Sequence, residues 1–387
     1  MLNLSPIFSN VNDINRIKWS INQIDEIINR SKSDDLSLFN GKAGELLCKA
    51  LVGSKYLLID DEIEQCIKGV EENPMMSSLC SGFTGITWLI NYFISEDLIR
   101  YGSDYTEEID EYIFEYCEFN LTHKNIDFLH GGLGQLIYLV SETKSLSSQK
   151  KDYLFDLFKL ASFNHNGFTV WKPSNILNEE SMIDLGMAHG MLAILRFFSI
   201  SWKNGIKTDE SEFYINNILN FYTQDFGINL NENQNFYPTK ILKNGKRYSD
   251  TIGWCYGDLI IGYILVLTAS EFNFSQIKLI GEKIIDQVIL RLSIESIITE
   301  IGFCHGSVGI AHIFNRLYQL TFNLNYKNQS IRWYNITLDR LNTLSVESES
   351  DLSDNLCLLD GLSGISLSLQ SSIDTKFLSW DRIFLLS

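Results

Sequence analysis

The stretch Ile301-Gly302-Phe303-Cys304-His305-Gly306-Ser307-Val308-Gly309 joins a thiol, an imidazole and a Gly-x-x-Gly turn directly before an apolar segment. The same kind of turn recurs along the chain, although two copies have lost the second glycine, at Ala193 and Ile260. The copies are Gly41-Lys-Ala-Gly44, Gly82-Phe-Thr-Gly85, Gly131-Gly-Leu-Gly134, Gly190-Met-Leu-Ala193, Gly257-Asp-Leu-Ile260, Gly306-Ser-Val-Gly309 and Gly361-Leu-Ser-Gly364. Recurrence of this kind is typical of repeat architectures, in which each copy is one supersecondary unit.

Two kinds of helix alternate around these turns. The segment after each turn is apolar nearly all round, which is typical of a buried helix. The segment before each turn has one apolar stripe, and in the first copy the stripe runs through Ile14, Ile17, Ile21, Ile24 and Ile28. Further amphipathic segments begin near Asp60, Thr106, Ser148, Thr208, Ser275 and Ser330, with Thr106 as the expected N-cap of its helix. The alternation predicts an all-α fold, a closed double ring of seven inner and seven outer helices whose glycine turns meet at one rim.

The longest interval between turns, from Gly190 to Gly257, has room for an insertion. Asn244-Gly245 stands between β-prone residues, which predicts a small β-hairpin near 236–248 with these two residues as its turn. A second extended piece is expected at Phe168–Trp171. The chain has only four prolines and no low-complexity linker, so we expect a single domain over residues 1–387.

Composition excludes several classes of protein. The net charge of −17, from 31 Lys and Arg against 48 Asp and Glu, argues against general nucleic-acid binding. The sequence contains no apolar run long enough for a transmembrane segment, and its first residues lack the pattern of a signal peptide. Seven cysteines without a disulfide-framework spacing are typical of a reducing cytoplasm.

Three residues at the turns form a candidate zinc site. Cys255 in Gly253-Trp254-Cys255-Tyr256-Gly257 occupies the same place before its glycine as Cys304 does before Gly306, and His305 lies between Cys304 and Gly306. Equivalent positions of a repeat point to the same rim, so these side chains can meet although they are far apart in sequence. Two cysteines and one histidine are a tetrahedral zinc set with one position left open for chemistry. The other cysteines, Cys48, Cys66, Cys80, Cys117 and Cys357, are expected to be buried small hydrophobes.

His189 and Asp127 are candidates for acid–base work at the same rim. His189 lies directly before Gly190, the position that His305 occupies before Gly306. An imidazole titrates near neutrality, which suits proton transfer, but His189 as a fourth metal ligand or as a structural histidine is left open. Asp127 lies four residues before Gly131, where it can orient a histidine, hold a substrate amide or cap a helix. His130 is marked by its position alone.

These motifs match a known family. The chain resembles the lanthionine synthetase C-like family, which includes class I lanthipeptide cyclases. The resemblance covers essentially the whole chain and rests on the seven turns, Ala188-His189-Gly190, Trp254-Cys255-Tyr256-Gly257, Cys304-His305-Gly306 and Ser379-Trp380-Asp381-Arg382. It implies an α/α toroid with Zn²⁺ held by Cys255, Cys304 and His305, and it implicates His189 and Asp127 in catalysis.

The reaction that the resemblance implies is intramolecular Michael addition. Peptide cysteines add to dehydroalanine or dehydrobutyrine, closing (methyl)lanthionine thioether rings in a dehydrated precursor peptide that carries a leader. Partners of this kind of enzyme are a dehydratase and an exporter, so the expected location is the cytoplasm, with peripheral association at the inner membrane through partners. One departure concerns Thr251, which stands where cyclases of the family often carry an arginine; Arg247 is a candidate substitute.

Two other kinds of protein fit the same residues. A zinc thiol transferase, or a glutathione-binding member of the same family, also needs a metal-bound thiolate. A zinc-stabilised module that binds a modified peptide without catalysis needs only the metal site.

Overall fold

The computed structural model describes residues 4–30, 33–52, 59–72, 76–99, 105–172, 181–226, 236–292, 298–347 and 355–387. Helices account for most of these residues, and they alternate along the chain between amphipathic and buried kinds. The amphipathic helices are α1 (Val11–Ile28), α3 (Ile59–Glu72), α5 (Glu107–Thr122), α7 (Ser148–Lys159), α9 (Thr208–Gln224), α11 (Ser275–Arg291) and α13 (Leu324–Glu347). The buried helices are α2 (Lys42–Val52), α4 (Phe83–Ser95), α6 (Gly132–Ser141), α8 (Met191–Lys203), α10 (Asp258–Glu271), α12 (Ser307–Thr321) and α14 (Leu362–Ile373). A 3₁₀ helix, Thr375–Phe384, follows α14.

Each buried helix begins one residue after the first glycine of its turn, as the sequence predicts. The predicted starts of α7, α9 and α11 are right, but α13 begins at Leu324, before the expected Ser330. Thr106 does occupy the N-cap position of α5, yet its side chain makes no capping hydrogen bond. Its hydroxyl lies 3.3 Å from the amide oxygen of Asn91, to which it donates instead.

In the part of the chain that the structure describes, five short strands form two antiparallel sheets. The strands are β1 (Ser162–His165), β2 (Phe168–Trp171), β3 (Ser181–Asp184), β4 (Lys240–Leu242) and β5 (Gly245–Arg247). Strand β2 has the predicted bounds and pairs with β1, and Asn166 and Gly167 between them have positive φ angles of 52° and 89°. Such angles are those of a hairpin turn with mirror-image geometry, for which Asn-Gly is a typical sequence, so Asn166-Gly167 is a second hairpin signal in the chain.

The predicted hairpin exists, but its turn is displaced by one residue. Leu242 pairs with Gly245, so the turn is Lys243-Asn244 and Gly245 belongs to β5. Strand β4 also pairs with β3, where Ile183 and Ile241 are both buried. Because a shift of one residue would move Ile241 to the exposed face, burial against β3 determines the register.

The chain divides into two compact units. The first comprises Met1–Gly69, Thr251–Trp254 and Ile285–Ser387. In this unit α14 packs against α1, α2 and α12, and α12 packs along α13. The 3₁₀ helix contacts α14, and its buried Asp381 accepts hydrogen bonds from Arg316 and His312 of α12.

The second unit comprises Val70–Asp250 and Cys255–Ile284. Its core is a succession of buried helices, in which α6 contacts α4 and α8, and α8 contacts α10. Helices α5 and α9 cover α6 and α8, respectively, and both small sheets belong to this unit. The expectation of a single domain over residues 1–387 stays a prediction.

None of the helices in the ranges given above is both long enough and apolar enough to cross a lipid bilayer.

Candidate metal centre and acid–base pair

The turn that leads into α12 carries two of the predicted ligands. The backbone N–H groups of Phe303 and Cys304 both donate to the carbonyl of Leu359, each over 2.9 Å, and Gly306 donates to the carbonyl of Gly302 over 3.1 Å. Cys304 is buried, whereas the imidazole of His305 is about one-third exposed, at 37%. These backbone hydrogen bonds fix the adjacent thiol and imidazole at the end of a rigid helix.

The segment before Cys255 is fastened to the same turn. The N–H of Trp254 donates to the carbonyl of Cys304 over 2.7 Å, and its indole Nε1 donates to the carbonyl of Phe384 over 2.9 Å. Gly253 approaches the turn so closely that a Cβ there would lie 2.4 Å from the oxygen of Cys304 and 2.6 Å from the Cα of His305. Only glycine permits this approach of two backbones.

The donor atoms of Cys255, Cys304 and His305 all lie within 4.8 Å of one another. A tetrahedral zinc ion with bonds of about 2.0–2.3 Å holds its donors about 3.3–3.8 Å apart, so side-chain shifts of about an ångström would close the set. Thiolate and imidazole are donors that suit zinc, and three protein ligands leave one position open. The residues therefore fit a metal ion.

His305 has a carboxylate neighbour, Glu300, that no sequence motif marks. Glu300 lies 2.7 Å from Nε2 of His305, and Oδ1 of Asp360 lies 3.9 Å from Nδ1. Metal-binding histidines commonly place their second nitrogen against a carboxylate, which fixes the ring orientation and raises its basicity. Glu300 is part of no glycine motif, so the repeat pattern could not single it out.

Asp127 and His189 form a hydrogen-bonded pair. Oδ2 of Asp127 accepts from Nδ1 of His189 over 2.6 Å. Its other oxygen, Oδ1, accepts from the backbone N–H of His130 over 2.7 Å. One carboxylate thus caps the turn before α6 and orients a histidine, which are two of the three roles left open by the sequence.

The surroundings of His189 favour its protonated form. Burial lowers the pKa of His189, but the hydrogen bond and the charge of Asp127 outweigh burial, so its pKa lies above the usual value. The ring of His130 stacks near that of His189, at 6.0 Å between centroids, and burial lowers the pKa of His130. The two neighbouring imidazoles are therefore pushed toward opposite protonation states.

A second buried carboxylate connects the segment before His189 to the turn of Cys255. Asp184 accepts from the hydroxyl of Tyr256 over 2.7 Å and from the N–H of Gly186 over 2.9 Å. The N–H of Met187 donates to the carbonyl of Cys255 over 2.9 Å. Tyr256 stands in the motif Trp254-Cys255-Tyr256-Gly257, whereas Asp184 belongs to none of the motifs quoted above, and only the structure shows the hydrogen bond that joins them.

Comparison with known proteins identifies the family. The model of the family described as lanthionine synthetase C-like protein matches residues 53–385, most of the chain. The chain belongs to the lanthionine synthetase C-like family. This membership supports the predicted enzyme class, a thioether-forming lanthionine synthetase.

A solved structure agrees with the fold of the family. The chain is similar to a structure named "Nisin cyclase", with a TM-score of 0.74, 20% sequence identity, and coverage of 97% of this chain and 98% of that chain. At this identity the likeness establishes the fold alone. It confirms the predicted fold class, an all-α fold of the lanthionine synthetase C-like kind with small antiparallel sheets.

Other cysteines of this lanthionine synthetase C-like protein are placed differently from the candidate ligands. Cys48, Cys66, Cys80 and Cys117 are buried, and burial raises the pKa of Cys48 to about 12 and that of Cys66 to about 11. Cys357, expected to be buried, is half-buried in the turn before α14, where its sulfur accepts from the N–H of Asp360 over 3.3 Å. The turn geometry holds this side chain near the surface.

The structure also shows where Arg247 lies, the residue considered as a substitute because Thr251 stands where the family often has an arginine. Arg247 lies in β5 with an exposed side chain. Its suggested substitution stays a hypothesis.

Proposed function

We propose that this protein is a zinc-dependent lanthipeptide cyclase. It adds cysteine thiols of a dehydrated precursor peptide to dehydroalanine and dehydrobutyrine, forming lanthionine and methyllanthionine rings. The observation that carries the proposal is the convergence of the Cys255, Cys304 and His305 donors within 4.8 Å in a member of this family.

Cys255, Cys304 and His305 would hold the zinc ion. When bound, zinc supplies a substrate thiol in its deprotonated form, because coordination to the ion ionises a thiol outright. A free cysteine, with a pKa of about 8.5, is only about 3% thiolate at neutral pH. Complete ionisation is worth at most ~30-fold in rate, or ~2 kcal/mol, so the protein must contribute by positioning the peptide as well.

His189 delivers the proton that completes the addition. Its Nδ1 donates to Asp127, which leaves Nε2 as the nitrogen that transfers a proton to substrate. As the C–S bond forms, the alkene π bond becomes an enolate, and the α-carbon takes the proton of Nε2. The thiol proton released earlier balances this proton, solvent recharges the imidazole, and the peptide mass is unchanged. Asp127 is a positioning residue that stabilises the imidazolium through its charge and hydrogen bond.

The wider setting follows from the same proposal. The name of the structural neighbour, "Nisin cyclase", supports a peptide substrate. We extend the proposal to a leader-bearing precursor, to a dehydratase and an exporter as partners, and to a cytoplasmic location with peripheral association at the inner membrane. The net charge of −17 would favour contact with basic parts of such partners.

The test uses the purified protein, zinc and a dehydrated peptide with free cysteines. Cyclisation consumes free thiols, counted by alkylation after quenching, without changing the intact mass of the peptide. We expect His189→Asn to keep its full metal content and to slow thiol consumption about 10²-fold or more, the usual contribution of a general acid. The matched control is His123→Asn, because His123 is an exposed C-cap residue of α5 whose imidazole contacts the carbonyl and the ring of Phe119, and this variant should behave as the wild type.

Other outcomes favour the alternatives. A gain in peptide mass would identify a thiol transferase. Metal content equal to one ion per chain without thiol consumption would identify a binding module. Loss of metal from His189→Asn would make His189 a ligand and would refute its assignment as the acid.

A further inference from the structure

Two buried aromatic side chains precede the two candidate thiol ligands. Phe303 comes directly before Cys304, and Trp254 comes directly before Cys255. Both rings pack against Phe384, at centroid distances of 4.5 Å for Phe303 and 5.1 Å for Trp254. One side chain of the 3₁₀ helix Thr375–Phe384 thus contacts the chain neighbour of each thiol.

Hydrogen bonds fix Trp254 more tightly than packing alone. Its indole donates to the carbonyl of Phe384 over 2.9 Å, and its backbone N–H donates to the carbonyl of Cys304 over 2.7 Å. The side chain and the backbone of Trp254 are therefore held by two different segments. Since Cys255 is the next residue, its backbone has little freedom to move toward or away from Cys304.

The 3₁₀ helix is itself held by buried contacts. A ten-residue 3₁₀ helix is unusually long, because such helices seldom exceed three or four residues without outside support. Asp381, which is 0% exposed, pairs with Arg316 and accepts from Nε2 of His312 over 2.7 Å. The indole of Trp380 donates to the hydroxyl of Ser371 over 2.9 Å. These partners in α12 and α14 hold Phe384 in place.

We infer that the 3₁₀ helix Thr375–Phe384 is a positioning element of the metal centre, with Phe384 as its contact residue. Phe384 fills the space between Phe303 and Trp254 and so determines how far apart the segments that carry the two thiols lie. This inference rests on the proposed metal site. Replacement of residues that hold metal ligands in position, without binding the metal themselves, typically changes metal affinity about 10–100-fold.

The experiment compares Phe384→Leu with the matched control Phe314→Leu. Phe314 is as completely buried as Phe384 and lies in α12, where it packs on Tyr326. Zinc affinity is measured by competition with a chromophoric chelator, and ligand geometry by the absorption spectrum of the Co²⁺-substituted protein. We expect both variants to lose thermal stability. Only Phe384→Leu should bind zinc about tenfold or more weakly and show altered thiolate-to-cobalt and d–d bands.

A second variant, Trp254→Phe, tests the inference even if Phe384→Leu does not fold. Trp254→Phe keeps an aromatic ring but removes the indole hydrogen bond to Phe384, and it should change the cobalt spectrum in the same direction. Wild-type zinc affinity and an unaltered cobalt spectrum in every variant that folds would overturn the inference while leaving the proposed function intact. A wild-type protein that binds no metal would instead overturn the proposed function, and the inference with it.

Discussion

Replacement of Gly253 by alanine tests whether close backbone approach places the metal ligands. A Cβ at this position would lie 2.4 Å from the oxygen of Cys304, whereas real Cβ atoms essentially never come within 3.0 Å of another heavy atom. The backbone of residue 253 must therefore move at least 0.6 Å, the difference between 3.0 and 2.4 Å, away from that carbonyl. The two nearest atoms, the oxygen of Cys304 and the Cα of His305, both belong to the backbone, so a rotamer change cannot relieve the strain.

The movement has two expected consequences. The hydrogen bond of 2.7 Å from the N–H of Trp254 to the carbonyl of Cys304 would lengthen to the edge of the normal range or break. Overpacking of this kind costs about 1–3 kcal/mol of folding free energy. Because Cys255 follows Trp254 directly, its thiol would shift relative to Cys304, and zinc affinity should fall about 10–100-fold, as it does when other supports of metal ligands are removed.

The assay for Gly253→Ala is zinc affinity by chelator competition, alongside thermal unfolding of the metal-free protein. The control is Gly281→Ala in α11, where a Cβ would lie 2.8 Å from Cγ2 of Val266 and 2.9 Å from the oxygen of Gly262. This control is crowded as well but is remote in sequence from the ligands, so it should lose stability and keep its zinc affinity. If Gly253→Ala binds zinc as tightly as the wild type, the close approach does not position the ligands and the reasoning is wrong.

Four further predictions concern protonation, metal support and the reactivity of thiols. Asp127→Asn removes the charge that raises the pKa of His189, so the fall of the cyclisation rate at alkaline pH should move to lower pH. Loss of a charge-assisted hydrogen bond of about 1.5–3 kcal/mol corresponds to a rate about ten- to a hundredfold lower at alkaline pH. An unchanged pH profile would contradict this prediction. Because the pKa of His189 is higher in the folded state than in the unfolded state, where it is about 6.5, protonation of His189 stabilises the fold at acidic pH. This stabilisation is lost as the pH rises through the folded-state pKa. Asp127→Asn should therefore lower the melting temperature more at acidic than at alkaline pH. Glu300→Gln should weaken zinc binding up to about tenfold without unfolding the protein, and equal affinity would show that its contact with His305 is incidental. In the native protein iodoacetamide should leave Cys48 unmodified, because burial raises the pKa of its thiol to about 12. Removal of the metal by a chelator should make the thiols of Cys255 and Cys304 accessible to alkylation. Peptide mapping of the alkylated protein checks both expectations, and alkylation of Cys48 in the native protein would contradict the first.

The helical fold was accessible from the sequence because its signal is repeated. Each glycine turn is followed by a helix that is buried nearly all round and preceded by one with a single apolar stripe, and seven such pairs reinforce one another. Local features without repetition were harder to place. The hairpin at 236–248 was predicted one residue out of register, because its register depends on the pairing of Ile241 with Ile183 in a strand that the sequence did not reveal.

The residues of the candidate site also differ in how well the sequence predicts them. Cys255, Cys304, His305, His189 and Asp127 were all singled out by their positions before glycines, and the structure places them in one group of three and one pair. Their supporting residues, among them Glu300, Asp184 and Phe384, belong to no motif that a repeat could expose.

The sequence by itself determined which residue types occur at equivalent places in the repeat, because helix period, glycine turns and ligand chemistry are local properties of the chain. Tertiary structure alone decided which atoms meet: that Asp127 accepts from His189, that Asp184 accepts from Tyr256, and that Phe384 packs between Phe303 and Trp254. The physical reason is that these contacts join segments distant in the chain, and hydrogen bonds and packing across such distances depend on the close-packed interior and not on the order of residues.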